Sequence, residues 1–99
     1  MIIGFDVGGS NVRGVALRPG SPEVEAVRRA KTSPDGDVIV ETITEVVSQL
    51  IVDVGEPVAA VGIGIAALMD ADGMLRYAPN IAEVVDYPLV DRVLSLIHI

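Results

Sequence analysis

Asp6, Gly8, Gly9, Ser10 and Asn11 are the residues whose types and spacing could do chemistry. The apolar run Ile2-Ile3-Gly4-Phe5 leads into Asp6, and a second apolar run, Val12 to Leu17, follows the turn. This predicts a β-hairpin with an acid at the end of its first strand and bare amides at its tip. Glycines tolerate positive φ, so successive N–H groups can converge on one anion. Ser10 adds a hydroxyl donor. Asp6 can hold hydrated Mg²⁺, which favours one or two carboxylates together with phosphate oxygens. The simplest ligand of such a loop is the phosphate tail of a nucleotide. Gly-Gly-Ser between apolar runs is also an ordinary hairpin turn, and the turn alone does not separate the two.

Two familiar phosphate loops do not fit. Gly4 and Gly9 have P-loop spacing, but Ser10-Asn11 stands where Lys-Ser/Thr is required. No helix follows the turn, so the dinucleotide fingerprint is absent there. Gly62-Ile63-Gly64-Ile65-Ala66-Ala67 matches Gly-x-Gly-x-x-Ala after a strand. The turn at Asp70 to Gly73 comes too soon for a helix to follow it, so we reject that fingerprint as well. A buried strand whose glycines admit a close backbone is the plainer reading.

Composition narrows the function classes. The chain has 99 residues and a net charge of -7, against the basic surface that nucleic acid requires. A nucleotide would therefore rely on Mg²⁺ and loop amides and not on a field of lysines. There are no cysteines, which excludes disulfides and thiolate metal sites. The first residues lack the basic start of a signal peptide. The apolar run Val58 to Met69 is too short to span a bilayer. A soluble cytoplasmic protein with no membrane partner is expected.

The elements that position the loop follow from periodicity. Strands are expected over Ile2–Val7, Asn11–Leu17 and Glu23–Ala30. Asp35 or Asp37 caps a helix running to about Val54, with Ile39, Ile43, Val46, Val47, Leu50 and Val54 on its buried face. Gly55-Glu56-Pro57 ends it. Val58 to Ile65 is apolar at nearly every position, as for a strand covered on both faces. A short strand, Met74 to Tyr77, follows the Ala71-Asp72-Gly73 turn, and Pro88 suits the first turn of a last helix.

Asp6-Val7-Gly8-Gly9-Ser10-Asn11 resembles the first phosphate motif of the ROK sugar kinases, usually Asp-x-Gly-Gly-Thr-Lys/Asn. A second segment resembles the same family: Gly62-Ile63-Gly64 through Asp70, then Gly73, Ala78-Pro79-Asn80-Ile81 and Pro88-Leu89. The resemblance implies an α/β fold, the N-terminal lobe of an actin-like (ribonuclease H-like) ATPase with a mixed sheet in β-β-β-α-β order. It implies ATP and Mg²⁺ as cofactors, with Asp6 on the metal through water and Gly8, Gly9, Ser10 and Asn11 on the phosphates. It implies a sugar partner, glucose or a related hexose, near Gly64, Ala67 and Asn80, with Ala67 replacing the family's glycine. A homodimer is implied for the full-length protein, and the donor could be ATP or polyphosphate.

The family's catalytic aspartate belongs to an Asn-Asp pair, and this sequence has no such pair. Residues 1–93 are expected to form an incomplete N-terminal lobe, inactive alone, with the catalytic acid beyond Ile99. Residues 94–99 do not continue the family pattern and read as a non-native tail resembling adapter read-through. A fragment of a ROK transcriptional repressor and a non-catalytic binding module are the alternatives. The phosphate motif starting at Met1 favours the kinase. Arg13 is expected to be an exposed strand residue, and Arg28-Arg29-Lys31 to protect a sheet edge. Asp70 and Asp72 are expected in a turn, Asp86 as a helix cap and Asp91 solvated on the last helix. His98 is given no role.

Overall fold

In a computed structural model, residues 1–65, 68–77 and 85–97 are described. Ala67 and Asn80 lie outside them, as do Ala78, Pro79 and Ile81 of the second motif and His98. The order is β1 (Ile2–Val7), β2 (Asn11–Leu17), β3 (Val24–Lys31), α1 (Gly36–Val54), β4 (Ala60–Ile65), β5 (Leu68–Met69), β6 (Leu75–Tyr77), β7 (Val85–Tyr87) and α2 (Leu89–Ile97). The first sheet runs β3-β2-β1-β4. β1 pairs antiparallel with β2 and parallel with β4, so α1 is the crossover that returns the chain to the sheet. The expected mixed β-β-β-α-β arrangement is present. A second small sheet, β5-β6-β7, is antiparallel.

Alternation decides which face of the first sheet is buried. Ile3, Phe5 and Val7 on β1 and Val12 and Ala16 on β2 point to the core, where α1 covers them with Ile39, Ile43, Val46 and Leu50. Gly14 lies among them because nothing larger fits: a Cβ there would stand 2.7 Å from Val46 Cγ1 and 3.0 Å from Phe5 Cε1. α1 is bounded by its sequence. The Asp35 carboxylate accepts from Asp37 N–H at 2.9 Å and Val38 N–H at 3.4 Å, satisfying amides that the helix leaves without partners. Gly55 closes it at φ 76° and donates its N–H to Ile51 at 2.8 Å.

β4 corrects the expectation of a strand buried on both faces. Val61, Ile63 and Ile65 are half-buried, while Ala60, Gly62 and Gly64 are exposed. Small and apolar residue types hide this alternation from the sequence. Among the described residues no atom lies within 4 Å of where the Gly62 Cβ would be, so none of their backbone explains that glycine. Among the described residues a Cβ on Gly64 would make an ordinary contact, 3.5 Å from the Phe5 carbonyl oxygen.

Asp70 and Asp72 are turn residues, as expected. The Asp70 carboxylate accepts from the N–H groups of Asp72 and Met74 and from Arg76 Nε, at 2.9, 3.1 and 2.9 Å. The Met74 amide leads in holding this carboxyl below the usual carboxylate range, with Arg76 and the Asp72 amide adding to it. α2 docks Leu89 and Val93 into the core against α1. Asp91 is exposed on it, as expected.

Candidate functional site: a phosphate-type cleft

The β1–β2 turn is a short hairpin loop closed by a hydrogen bond from Gly8 N–H to the Asn11 carbonyl at 2.9 Å. Its conformation departs from the expectation in two respects. Neither Gly8 nor Gly9 has positive φ; the described glycines that do are Gly20, Gly55 and Gly73. The Gly8 N–H is also committed inside the turn. Among the described residues, the N–H groups of Gly9 and Ser10 have no hydrogen-bond partner. The loop's own backbone therefore does not require glycine. What glycine provides is bare backbone at the cleft.

The loop is held from the side. Thr32, just past the end of β3, donates its hydroxyl to the Gly8 carbonyl at 2.8 Å and its N–H to the Ser10 carbonyl at 3.0 Å. Sequence reading missed Thr32. Its signal, a hydroxyl residue immediately after a strand, is too common to stand out.

Asp6, Gly8, Gly9, Ser10 and Asn11 line one open cleft of about 360 Å³, so the structure brings together all five residues singled out around the turn. Arg13 and Arg29 line it as well. The strand register explains their place. Gly64, Asp6, Arg13 and Arg29 are successive partners on β4, β1, β2 and β3, and so form one row across the sheet. This row lies on the face opposite α1, since Val7, Val12 and Gly14 on the alternate positions are buried. Arg13 is exposed, as expected, but it faces the cleft. Asn11 and Lys31 are the next partners along β2 and β3.

β3 is an edge strand, which fits the edge-protection reading of its basic run. The run nevertheless divides between the two faces. Arg28 turns to the helix side and meets the Asp53 carboxylate with two contacts of 2.8 Å. That bidentate hydrogen bond is the main cause lowering the Asp53 pKa. Arg13 and Arg29 thus stand at the cleft beside the loop, in addition to the amides expected there.

Among the described residues no group of three or more His, Asp or Glu could cage a metal ion. A single acid beside open backbone does fit Mg²⁺, which keeps most of its waters and takes phosphate oxygens in place of protein ligands. Of the three residues expected at the sugar, Gly64 is placed, in the same row as Asp6 and on the exposed face. Among the described residues, Asp6 is the one carboxylate lining the cleft.

The fold is shared with known sugar kinases. A ROK family glucokinase from Streptomyces griseus, solved with glucose and AMPPNP, matches at a TM-score of 0.86 and 27% identity, over 99% of this chain and 30% of its own. A ROK hexokinase from Thermus thermophilus matches at 0.87 and 21% identity, over 98% and 32%. An inorganic polyphosphate/ATP-glucomannokinase from Arthrobacter sp. strain KM matches at 0.84 and 17% identity, over 98% and 40%. The resemblance read from the two motifs is thus borne out, and the chain has the fold of the N-terminal lobe of these actin-like kinases. It spans between 30% and 40% of their lengths. No protein-family model and no curated protein matches the sequence. Among the described residues no helix is long and apolar enough to cross a membrane.

Proposed function

We propose that these residues are the N-terminal lobe of a ROK-type sugar kinase that transfers a phosphoryl group from ATP to a hydroxyl of glucose or a related hexose. The observation that carries this reading is the cleft itself: Asp6, Gly8, Gly9, Ser10 and Asn11 converge on it, within a lobe that matches a glucokinase solved with glucose and AMPPNP over 99% of the chain.

Each residue has a role its chemistry suits. The free amides of Gly9 and Ser10 and the Ser10 hydroxyl donate to phosphate oxygens. The missing side chains of Gly8 and Gly9 let those oxygens reach the backbone. Asn11, with both a donor and an acceptor on its side chain, borders the phosphates. Asp6 holds Mg²⁺ through water; when bound, this ion offsets the charge that builds on the transferring phosphates. Gly64, Ala67 and Asn80 belong to the sugar side. Gly64 is next to Asp6 in the sheet, so sugar and phosphate would meet across the β1–β4 pair. We assign no general base to this chain. Such a base must lie within hydrogen-bond reach of the sugar hydroxyl, and Asp6 is committed to the metal.

The test is a coupled assay on the intact protein with glucose and Mg²⁺·ATP. The expected result is glucose phosphorylation that depends on Asp6. Absence of phosphoryl transfer to any hexose, together with no AMPPNP binding, would overturn the reading.

A further inference from the structure

We propose that β3 is a docking edge for a second copy of this chain: two β3 strands pair antiparallel about a two-fold axis at Val27 and join two sheets into one.

β3 is eight residues long and forms one edge of the first sheet. Among the described residues no strand pairs with its outer side. Such an edge presents a row of backbone donors and acceptors that a further strand can use. Two of its apolar side chains are open to solvent, Val24 at 52% and Val27 at 42%.

The order of charges along β3 says which strand fits. Directly opposite residues of an antiparallel pair share a face and interact. With Val27 opposite its twin, Glu25 of each copy stands opposite Arg29 of the other, and Glu23 stands opposite Lys31. Val24 then meets Ala30, and Ala26 meets Arg28. Acids lie on one side of Val27 and bases on the other, so the strand is its own complement. The two-fold axis makes each of these contacts occur twice.

The charges are available for this use. Among the described residues Glu23, Arg29 and Lys31 have no ion-pair partner. Glu25 shares Arg18 with Glu56, at 3.5 and 3.3 Å. Arg28 is held on the helix side by Asp53. Neighbouring registers are poorer. Centring the pair on Arg28 or Arg29 sets that arginine against its twin, which destabilises a sheet. Centring it on Ala26 keeps Glu23 opposite Arg29 but puts Glu25 opposite Val27. The basic run therefore guards this edge against most strands and admits one register. The net charge of -7 on each copy opposes association, so the match has to be local. One strand pair is a small interface, and the dimer is accordingly weak and concentration-dependent.

The experiment is sedimentation velocity of the intact protein over a range of concentrations, with circular dichroism as the check on folding. A doubling of mass with concentration is expected. Val27→Lys sets two cations against each other at the axis and should raise the dissociation constant of that step at least about tenfold. Glu23→Lys and Lys31→Glu should each raise it several-fold. Both residues are exposed, so these variants keep the fold. The double variant Glu23→Lys/Lys31→Glu restores opposite charges across the axis and should return the constant to within about twofold of wild type. Residues 23 and 31 are about 27 Å apart along an extended strand, so that recovery cannot arise within one copy. No doubling of mass, or a doubling indifferent to Val27→Lys and to both single reversals, would overturn the proposal. Losses in the single reversals without recovery in the double variant would overturn it as well.

Discussion

Thr32 donates its hydroxyl to the Gly8 carbonyl across 2.8 Å, tying the end of β3 to the candidate phosphate loop. The two residues are 24 positions apart in sequence. The Thr32 backbone N–H holds the Ser10 carbonyl as well, so one residue fixes both sides of the turn. A loop held in this way keeps Gly9 and Ser10 in place at the cleft before a ligand arrives. Pre-ordering of that kind reduces the entropic cost of binding.

Thr32→Val keeps the shape and removes the hydroxyl. It should cost about 1 kcal/mol of stability, the usual net worth of such a hydrogen bond. It should also weaken AMPPNP several-fold in the intact protein while leaving glucose binding unchanged. Titration with each ligand checks this; equal losses for both would show a general loosening of the fold instead of a loop effect.

Asp6→Ala should lower kcat by at least about a hundredfold, the scale on which a metal-holding or charge-stabilising contact acts. Asp6 is exposed at the end of β1, so the variant should fold normally by circular dichroism. Near-normal turnover with ATP would remove Asp6 from the site.

Much of the fold was legible in local sequence. β1 and β2 have the expected bounds because apolar residues alternate up to a glycine turn. α1 has them because Asp35 caps one end and Gly55 the other. What sequence did not show depends on register. That Arg13 meets Arg29 follows from how β2 and β3 pair, including an irregularity at Ala16/Leu17, and no local pattern encodes it. Arg28 and Arg29 look alike in the sequence, but the pleat sends one to Asp53 and the other to the cleft. β4 misled for a related reason. Ala60, Gly62 and Gly64 are as compatible with a buried face as with an exposed one. The short strands β5 and β7 carry too few residues for periodicity to register. Tyr87, which donates its hydroxyl to Asp37 at 2.6 Å, could not be matched to its partner from sequence.

The glycines differ in what they tolerate. Gly14→Ala would place a Cβ 2.7 Å from Val46 and 3.0 Å from Phe5, both core side chains. Overpacking of this kind costs about 1–3 kcal/mol. Among the described residues Gly62→Ala meets nothing within 4 Å, and it should be close to neutral, or slightly stabilising through the unfolded chain. Thermal melts of the two variants compare them directly. A Gly14→Ala protein as stable as wild type would mean that α1 does not pack on β2 as described.

Acid should loosen the β5–β6 turn through Asp70. Its carboxylate accepts two backbone N–H groups and pairs with Arg76 Nη2 at 2.8 Å, which lowers its pKa in the folded protein. A depressed folded pKa means that the unfolded chain binds the proton more readily. The contribution is therefore fully present above the ordinary carboxylate value of about 4 and is lost as pH falls through the lower folded value. Asp53, lowered chiefly by its hydrogen bond from Arg28, acts in the same direction on α1. Both groups are on the surface, so each effect is small and weakens with added salt. Hydrogen-exchange protection factors for the Asp72 and Met74 amides should fall in the wild type as the pH drops below the ordinary carboxylate value of about 4. Asp70→Asn keeps an oxygen that accepts from both amides but cannot titrate, so its protection should be lower at neutral pH and flat over the same drop. An Asp70→Asn protein that lost protection in parallel with the wild type would place the acid sensitivity elsewhere.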